Sequence, residues 1–326
     1  MNQSSDATAP AGTARKLTLA RALDSLGMLL IFAVLVIGCS VFVPNFATKP
    51  NVLGLALSVS MVGMVACTML FCMASGDFDL SVEAMVAFAG VLAAVLINHW
   101  GNAWLGAVAA ILACGVVGAI NGVIIARVGI NALITTLATM QIVRGLGFIV
   151  SNGSAVGITQ ESFYRMGSAQ PLGIAMPIWI TIVCFIIFGV LLHKTAFGRH
   201  TLAVGGNMEA ARLSGVPVQR VRIIIFTLQG LMSGFAGVIL ASRLTSGQPN
   251  TSVGFALDVI SACVLGGVSL SGGVGTMLGV AVGVLIMGTV QNAMNLMNVP
   301  TFWQYVARGM ILLAAVIFDR WRRSRA

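Results

Sequence analysis

The chain has 326 residues, of which 58% are hydrophobic and only 8% are charged, with a formal net charge of +9. An ordinary soluble domain is roughly a quarter charged, and a soluble fold of this composition would leave large apolar patches against water. The positive balance does not point to nucleic acid, because the bases lie in short segments between apolar runs and form no stripe interleaved with aromatics.

Residues 1–25 are polar, rich in Ala, Ser and Thr, and carry Arg15, Lys16 and Arg21; they read as a flexible cytoplasmic tail. The apolar run behind them is a full membrane span with no clear small-residue cleavage site, so it reads as a retained span and not as a signal peptide. A helix needs about 20 apolar residues to cross a hydrocarbon layer. Ten runs are candidates: about 26–44, 52–74, 80–97, 103–126, 130–150, 171–192, 221–241, 255–270, 275–297 and 301–318. The third contains Glu83, and the eighth is short and glycine-rich. None alternates apolar and polar residues as barrel strands must. The expectation is an all-α membrane protein, a polytopic bundle of about ten transmembrane helices over 26–318, followed by a basic cytoplasmic tail over 319–326.

Basic residues set the orientation, since cytoplasmic segments carry an excess of Lys and Arg. With both termini in the cytoplasm and ten spans, the cytoplasmic segments hold thirteen bases, Arg127, Lys194, Arg199, Arg212, Arg220 and Arg222 among them, against Lys49, Arg165 and Arg243 outside. Ser75 to Ser81 fit this map poorly, because the segment carries Asp77 and Asp79 and no base. It is either a cytoplasmic turn or a re-entrant break, which survives in a membrane only where protein or a water-filled cavity covers it. Gly118 and Gly122, Gly230 and Gly234, and Gly275, Gly279 and Gly283 recur every four residues, a spacing that lets helix backbones approach closely in lipid.

Charges inside spans are costly enough to count as functional hints. Glu83, Arg144, Asp258 and Arg308 qualify, and two acids with two bases invite pairing, Asp258 with Arg308 among the choices. The fifth span carries Thr135 and Thr139 four residues apart, with Asn131 before them, and the ninth ends in Gln291, Asn292, Asn295 and Asn298. These residues put hydroxyls and amides on one helical face, where they either line a polar path or bond neighbouring helices.

The chain lacks the chemistry of an enzyme or a nucleotide motor. Its three lysines, Lys16, Lys49 and Lys194, follow no glycine-rich phosphate loop, and His99, His193 and His200 lie in loops away from clustered acids. No nucleophile and base fall within reach of one another. The six cysteines all lie in apolar runs without metal-ligand spacing. Neither cofactor nor metal is expected.

The longest cytoplasmic loop, 193–220, holds Gly205-Gly206-Asn207-Met208-Glu209-Ala210-Ala211-Arg212-Leu213-Ser214-Gly215. Asn207 reads as an N-cap, Glu209 lies near the positive end of the helix dipole, and Gly215 reads as the stop. A short capped helix between two spans has the shape needed to dock on a cytoplasmic motor. Glu209-Ala210-Ala211 in this glycine-flanked loop resembles the coupling segment of permeases from ATP-binding-cassette importers. Nearly the whole chain resembles their ribose, arabinose and galactoside branch, through Ala74 to Ser81, Leu133 to Met140, Gly205 to Val216, Thr245 to Pro249 and Gly266 to Leu270. Phe78, the run Asn131 to Gly145 and the end Arg308 to Asp319 are most like the branch's L-arabinose members.

The resemblance implies the permease subunit of a pentose importer, a homodimer in the lipid of the bacterial inner membrane. A tandem ATPase subunit and a periplasmic sugar-binding protein would be its partners. Asn207, Glu209, Ala210, Ala211, Arg212, Ser214 and Gly215 would then carry the ATPase coupling, with Asp77, Asp79, Thr135, Thr139, Asn292 and Asn295 in translocation or gating. A ribose, xylose or galactose permease and an ion-coupled secondary carrier are the alternatives.

Overall fold

The computed structural model describes the backbone of residues 11–323 and the side chains of residues 27–317. The expected tails, 1–25 and 319–326, therefore lie partly outside the described residues. In chain order the helices are α1 (Ala11–Phe42), α2 (Lys49–Ala74), α3 (Val82–Trp100), α4 (Ala103–Val123), α5 (Ala132–Ser151), α6 (Glu161–Ser168) and α7 (Met176–Lys194). They continue as α8 (Ala196–Gly206), α9 (Met208–Leu213), α10 (Val218–Leu244), α11 (Phe255–Leu265), α12 (Met277–Leu296) and α13 (Thr301–Arg323). Extended structure among the described residues is confined to β1 (Val156–Gly157) and β2 (Ser246–Gly247), paired antiparallel.

Each of the ten apolar runs holds a helix, and α2, α3, α4 with its continuation to Val128, α5, α7, α10 and α12 are the seven long and apolar enough to cross a membrane. The apolar parts of α1 (Gly27–Phe42) and α13 (Thr301–Ile317) are shorter, and so is α11. At 1.5 Å per residue, α11 is about 16 Å long, half the hydrocarbon thickness. Its expected run, 255–270, stops as a helix at Leu265 because Gly266 and Gly267 follow, Gly267 at φ +78°. The run 171–192 likewise turns helical only at Met176, after a one-turn 3₁₀ segment at Pro171–Gly173. The helices α6 and α8 have no counterpart among the sequence expectations.

Local chemistry sets the ends. Asn102, Asn131, Thr195, Asn207 and Thr276 each cap a helix by accepting backbone N–H groups, which satisfies donors that have no partner within the helix. The last turn of α4 widens into a π-turn, Ile124–Val128, closed by Gly129 at φ +83°.

The second half of α2, from Met61 to Ala74, is almost wholly buried among α7, α10, α11 and α12. On its other side α10 packs most extensively on α4 and α3. Glycine makes that approach possible. A Cβ on Gly230 would lie 2.3 Å from the Cys114 carbonyl oxygen, and one on Gly118 would lie 2.2 Å from that of Phe226. Large side chains face outward, among them Leu278, Ile149 and Phe302, each more than 70% exposed, as suits a lipid surround. An apolar cleft of about 620 Å³ between α2, α7 and α12, lined by Val59, Ile182, Phe185 and Leu278, belongs to the same outer surface. The helix α5 stands apart: it leans chiefly on α3 and is largely exposed.

Candidate functional site

The coupling segment folds as its residues dictate. Asn207 is extended at φ −158°, and its side chain accepts from the Ala210 N–H at 2.9 Å. Gly215, at φ +83°, ends the turn by donating to Arg212 O, while Val216 N–H reaches Ala211 O. Glu209 and Arg212 pair at 2.7 Å and are about two-thirds exposed. Met208 and Leu213 are exposed beside them, whereas Ala211 is buried. The result is an outward patch of one ion pair and two apolar side chains on a helix held from beneath.

That helix is seated on the membrane domain. A Cβ on Gly205 would lie 1.9 Å from the Ala74 carbonyl oxygen, and the same oxygen accepts from the Gly273 N–H at 2.9 Å. The end of α8 therefore rests on the last residue of α2 and on the glycine-rich connection between α11 and α12. The residues of α9 and its Asn207 cap are legible in the sequence. The helix α8 and the Gly205 contact are not, because glycine spacing does not say which backbone comes close.

From Ala74 the chain enters the acidic segment. Its residues Ser75, Asp77, Asp79 and Ser81 are buried, so protein covers this break between α2 and α3. Asp77 accepts two bonds from Arg222 of α10, from Nε at 2.8 Å and Nη2 at 2.7 Å. Arg222 also donates to Ile125 O in the π-turn at 3.4 Å. Arg222, expected from the sequence among the cytoplasmic bases, thus supplies Asp77 with the counter-charge that the turn itself lacks.

Asp79 is fully buried. One of its oxygens accepts from the Ser81 N–H at 2.9 Å and from the Ser81 hydroxyl, and its Oδ2 has no partner among the described residues. Burial pushes the Asp79 carboxyl up to about 6 against the opposing pull of the two bonds from Ser81. Polar contacts continue outward: Asn121 donates to Ser81 Oγ at 3.2 Å and accepts from Thr139 at 2.6 Å. Thr136 accepts from the Leu80 N–H at 3.2 Å. The turn is thereby tied to α4 and α5.

All four intramembrane charges are paired. Arg144 meets Glu83 at 2.8 Å, and the other Glu83 oxygen accepts from the Gly254 N–H at 3.0 Å. Arg308 meets Asp258 at 3.0 Å, with Gln291 also donating to Asp258 at 3.4 Å. The pairs join α5, α3, the head of α11 and α13 along one side of the bundle, and each side chain remains 12–22% exposed.

The remaining polar residues mostly bond protein. Thr135 donates to Asn131 O at 3.0 Å, Asn292 exchanges two bonds with Asn51, and Asn295 accepts from Gln304 at 2.9 Å. Of the two roles open to this set in the sequence, helix-to-helix or local bonding is what their contacts provide. One residue outside the expected set differs. Gln141, halfway along α5 and on the face away from Thr135 and Thr139, is exposed, and its carboxamide makes no hydrogen bond among the described residues. Its signal in the sequence was an amide flanked by small residues, Ala138 and Gly145, in an otherwise apolar face. No group of three metal-ligating side chains occurs among the described residues.

Residues 51–316 match the family model described as branched-chain amino acid transport system / permease component. The chain is 62% identical over 301 residues to the L-arabinose transport system permease protein AraH of Escherichia coli K12, covering 92% of each chain. It is 57% identical over 299 residues to the L-arabinose ABC transporter permease protein AraH of Azospirillum brasilense, covering 92% of this chain and 88% of that one. To the ribose import permease protein RbsC of Bacillus subtilis it is 41% identical over 300 residues, covering 91% and 93%. No solved structure matches it.

Proposed function

This chain belongs to the family of importer permease components, and we propose that it is the membrane subunit through which L-arabinose enters the cytoplasm. It is a multi-pass protein of the inner membrane, of a family that has no catalytic site of its own. The observation that carries the substrate is the margin between its relatives, 62% identity to an L-arabinose permease against 41% to a ribose permease over nearly the same length.

Transport then requires an energy source and a way to transmit it. The ATPase is a separate subunit, and the exposed face of α9 is its seat: Met208 and Leu213 supply apolar contact, and Glu209 with Arg212 supply charge. A push on α9 reaches the spans through α8, because Gly205 has no slack against Ala74. Asp77 and Arg222 carry the displacement into α10. Access switches as the bundle rocks around the route, in the manner of rigid-body alternation. A periplasmic binding protein delivers the sugar on the opposite side. Two copies of this chain form the complete membrane unit, with ten crossings each and both termini cytoplasmic, the arrangement favoured by the thirteen inward bases. The pairing of Glu83 with Arg144 and of Asp258 with Arg308 weighs against their use in ion coupling, which needs a carboxylate free to exchange its ion.

The test is uptake of labelled L-arabinose into proteoliposomes holding this chain, the ATPase and the binding protein, with ATP inside. Accumulation that requires all three supports the reading; uptake by the chain alone under an ion gradient overturns it. Glu209→Lys is expected to abolish ATP-dependent uptake while membrane assembly survives. Its pair with Arg212 is open to solvent, where water and salt screen it and it adds little to stability, so loss of uptake would report docking and not unfolding. Normal uptake by that variant removes α9 from the coupling route.

A further inference from the structure

The feature that the coupling scheme leaves unused is the bare face of α5. Ile134, Ala138, Gln141, Gly145 and Ile149 fall within one stripe of this helix, by the 100° turn per residue. Ile134 and Ile149 are 63% and 73% exposed, Ala138 and Gln141 are exposed, and a Cβ at Gly145 would meet nothing within 4 Å. Apolar side chains alone would suit lipid. The unbonded Gln141 carboxamide at the middle of the span does not, because hydrocarbon offers it neither donor nor acceptor and leaving it unpaired there costs on the order of several kcal/mol.

Two further observations say what covers the face. Gln141 lies one helical turn from Arg144, so it borders the side of the bundle on which the partly exposed Glu83–Arg144 and Asp258–Arg308 pairs lie. A carboxamide is also self-complementary, being donor and acceptor at once. It is flanked by two small residues, the composition that lets helix backbones approach closely within a membrane. A two-fold axis through this stripe sets Gln141 opposite its counterpart and satisfies both.

We propose that a second copy of this chain docks on the Ile134–Ala138–Gln141–Gly145–Ile149 face of α5, and that the paired Gln141 carboxamides form the polar constriction of the sugar route. When the two α5 helices part, the carboxamides are released to exchange hydrogen bonds with sugar hydroxyls in place of each other. This rests on the importer reading above and adds to it the surface and the residue.

The experiment uses the full three-part complex in membranes. Gln141→Cys is compared with Val116→Cys, which puts a thiol on the outer face of α4 where Val116 is 59% exposed, and with the unsubstituted chain. Mild oxidation is expected to link two copies through position 141 and not through 116, since a disulfide needs Cβ atoms within about 4.5 Å. Ala138→Cys, one turn away, repeats the test if Gln141→Cys does not reach the membrane. In uptake, Gln141→Asn is expected to retain transport, and Gln141→Leu to lose about tenfold, the worth of one hydrogen bond, with assembly intact. Absence of the link at both 141 and 138, or equal linking at 116, overturns the docking face. Full uptake by Gln141→Leu overturns the polar constriction. Either failure alongside intact three-part uptake leaves the importer reading standing, whereas loss of three-part uptake in the unsubstituted complex strikes that reading itself.

Discussion

The pair Asp77–Arg222 offers the sharpest test of how the acidic turn is held. Asp77 is 8% exposed and Arg222 14% exposed at the side chain, and the guanidinium supplies both hydrogen bonds that the carboxylate has, at 2.7 and 2.8 Å. Arg222→Gln removes the charge and one arm of the fork, leaving a buried carboxylate uncompensated. Breaking a buried pair in this way costs about 3–5 kcal/mol. Asp77→Asn is expected to cost less, about 2 kcal/mol, because Arg222 keeps Ile125 O and its partial exposure, and a neutral amide oxygen still accepts one bond.

The double variant should therefore be more stable than the sum of the singles implies, with a coupling of at least about 2 kcal/mol. Unfolding of the purified chain in mixed micelles, titrated with a denaturing detergent, gives all four free energies of the cycle. Additive losses, or a loss below 1 kcal/mol for Arg222→Gln, would refute the view that this pair fixes the turn to α10. The same variants measured for ATP-dependent uptake separate a merely stabilising pair from one that transmits motion.

Two more predictions concern the neighbouring backbone. Gly205→Ala is expected to uncouple uptake from ATP hydrolysis, since its Cβ would meet Ala74 O at 1.9 Å, while Gly206→Ala, with nothing within 4 Å, should be neutral; equal behaviour of the two in the uptake assay would contradict the α8 seat. Burial pushes the Asp79 carboxyl up to about 6 in the fold, above the ordinary aspartate value of about 3.8, so the fold binds the proton more tightly than the unfolded chain does. Stability is then fully retained below about pH 4 as far as this group is concerned, and falls as pH rises to about 6, by up to about 3 kcal/mol at 1.4 per unit. Asp79→Asn should flatten that dependence in detergent unfolding curves; an unchanged curve would show that Asp79 is not the titrating group.

Much of the molecule was written in local chemistry. The membrane class follows from long apolar runs that no water-facing fold can hide, and each run became a helix because its backbone groups can be satisfied only within itself. Asn207 as cap and Gly215 as stop were legible for the same reason: a cap bonds residues two or three away, so sequence distance is spatial distance. The importer family was legible through motifs that cover most of the chain.

What the tertiary structure decided depends on contacts between residues far apart in sequence. Asp77 finds Arg222, 145 positions away, and nothing in the acidic turn names that partner, since any base within reach of the turn would satisfy the charge. Glu83 with Arg144 and Asp258 with Arg308 form a choice among possible pairings that only helix order and rotation settle. The amides and hydroxyls divide by the same rule. Thr139 and Asn292 turn toward protein and are used up in bonds to Asn121 and Asn51. Gln141, chemically alike, is turned away by 100° steps along one helix and left open. Composition sets how many polar groups a span carries; the packing angle of each helix decides which of them remain available to a partner or a sugar.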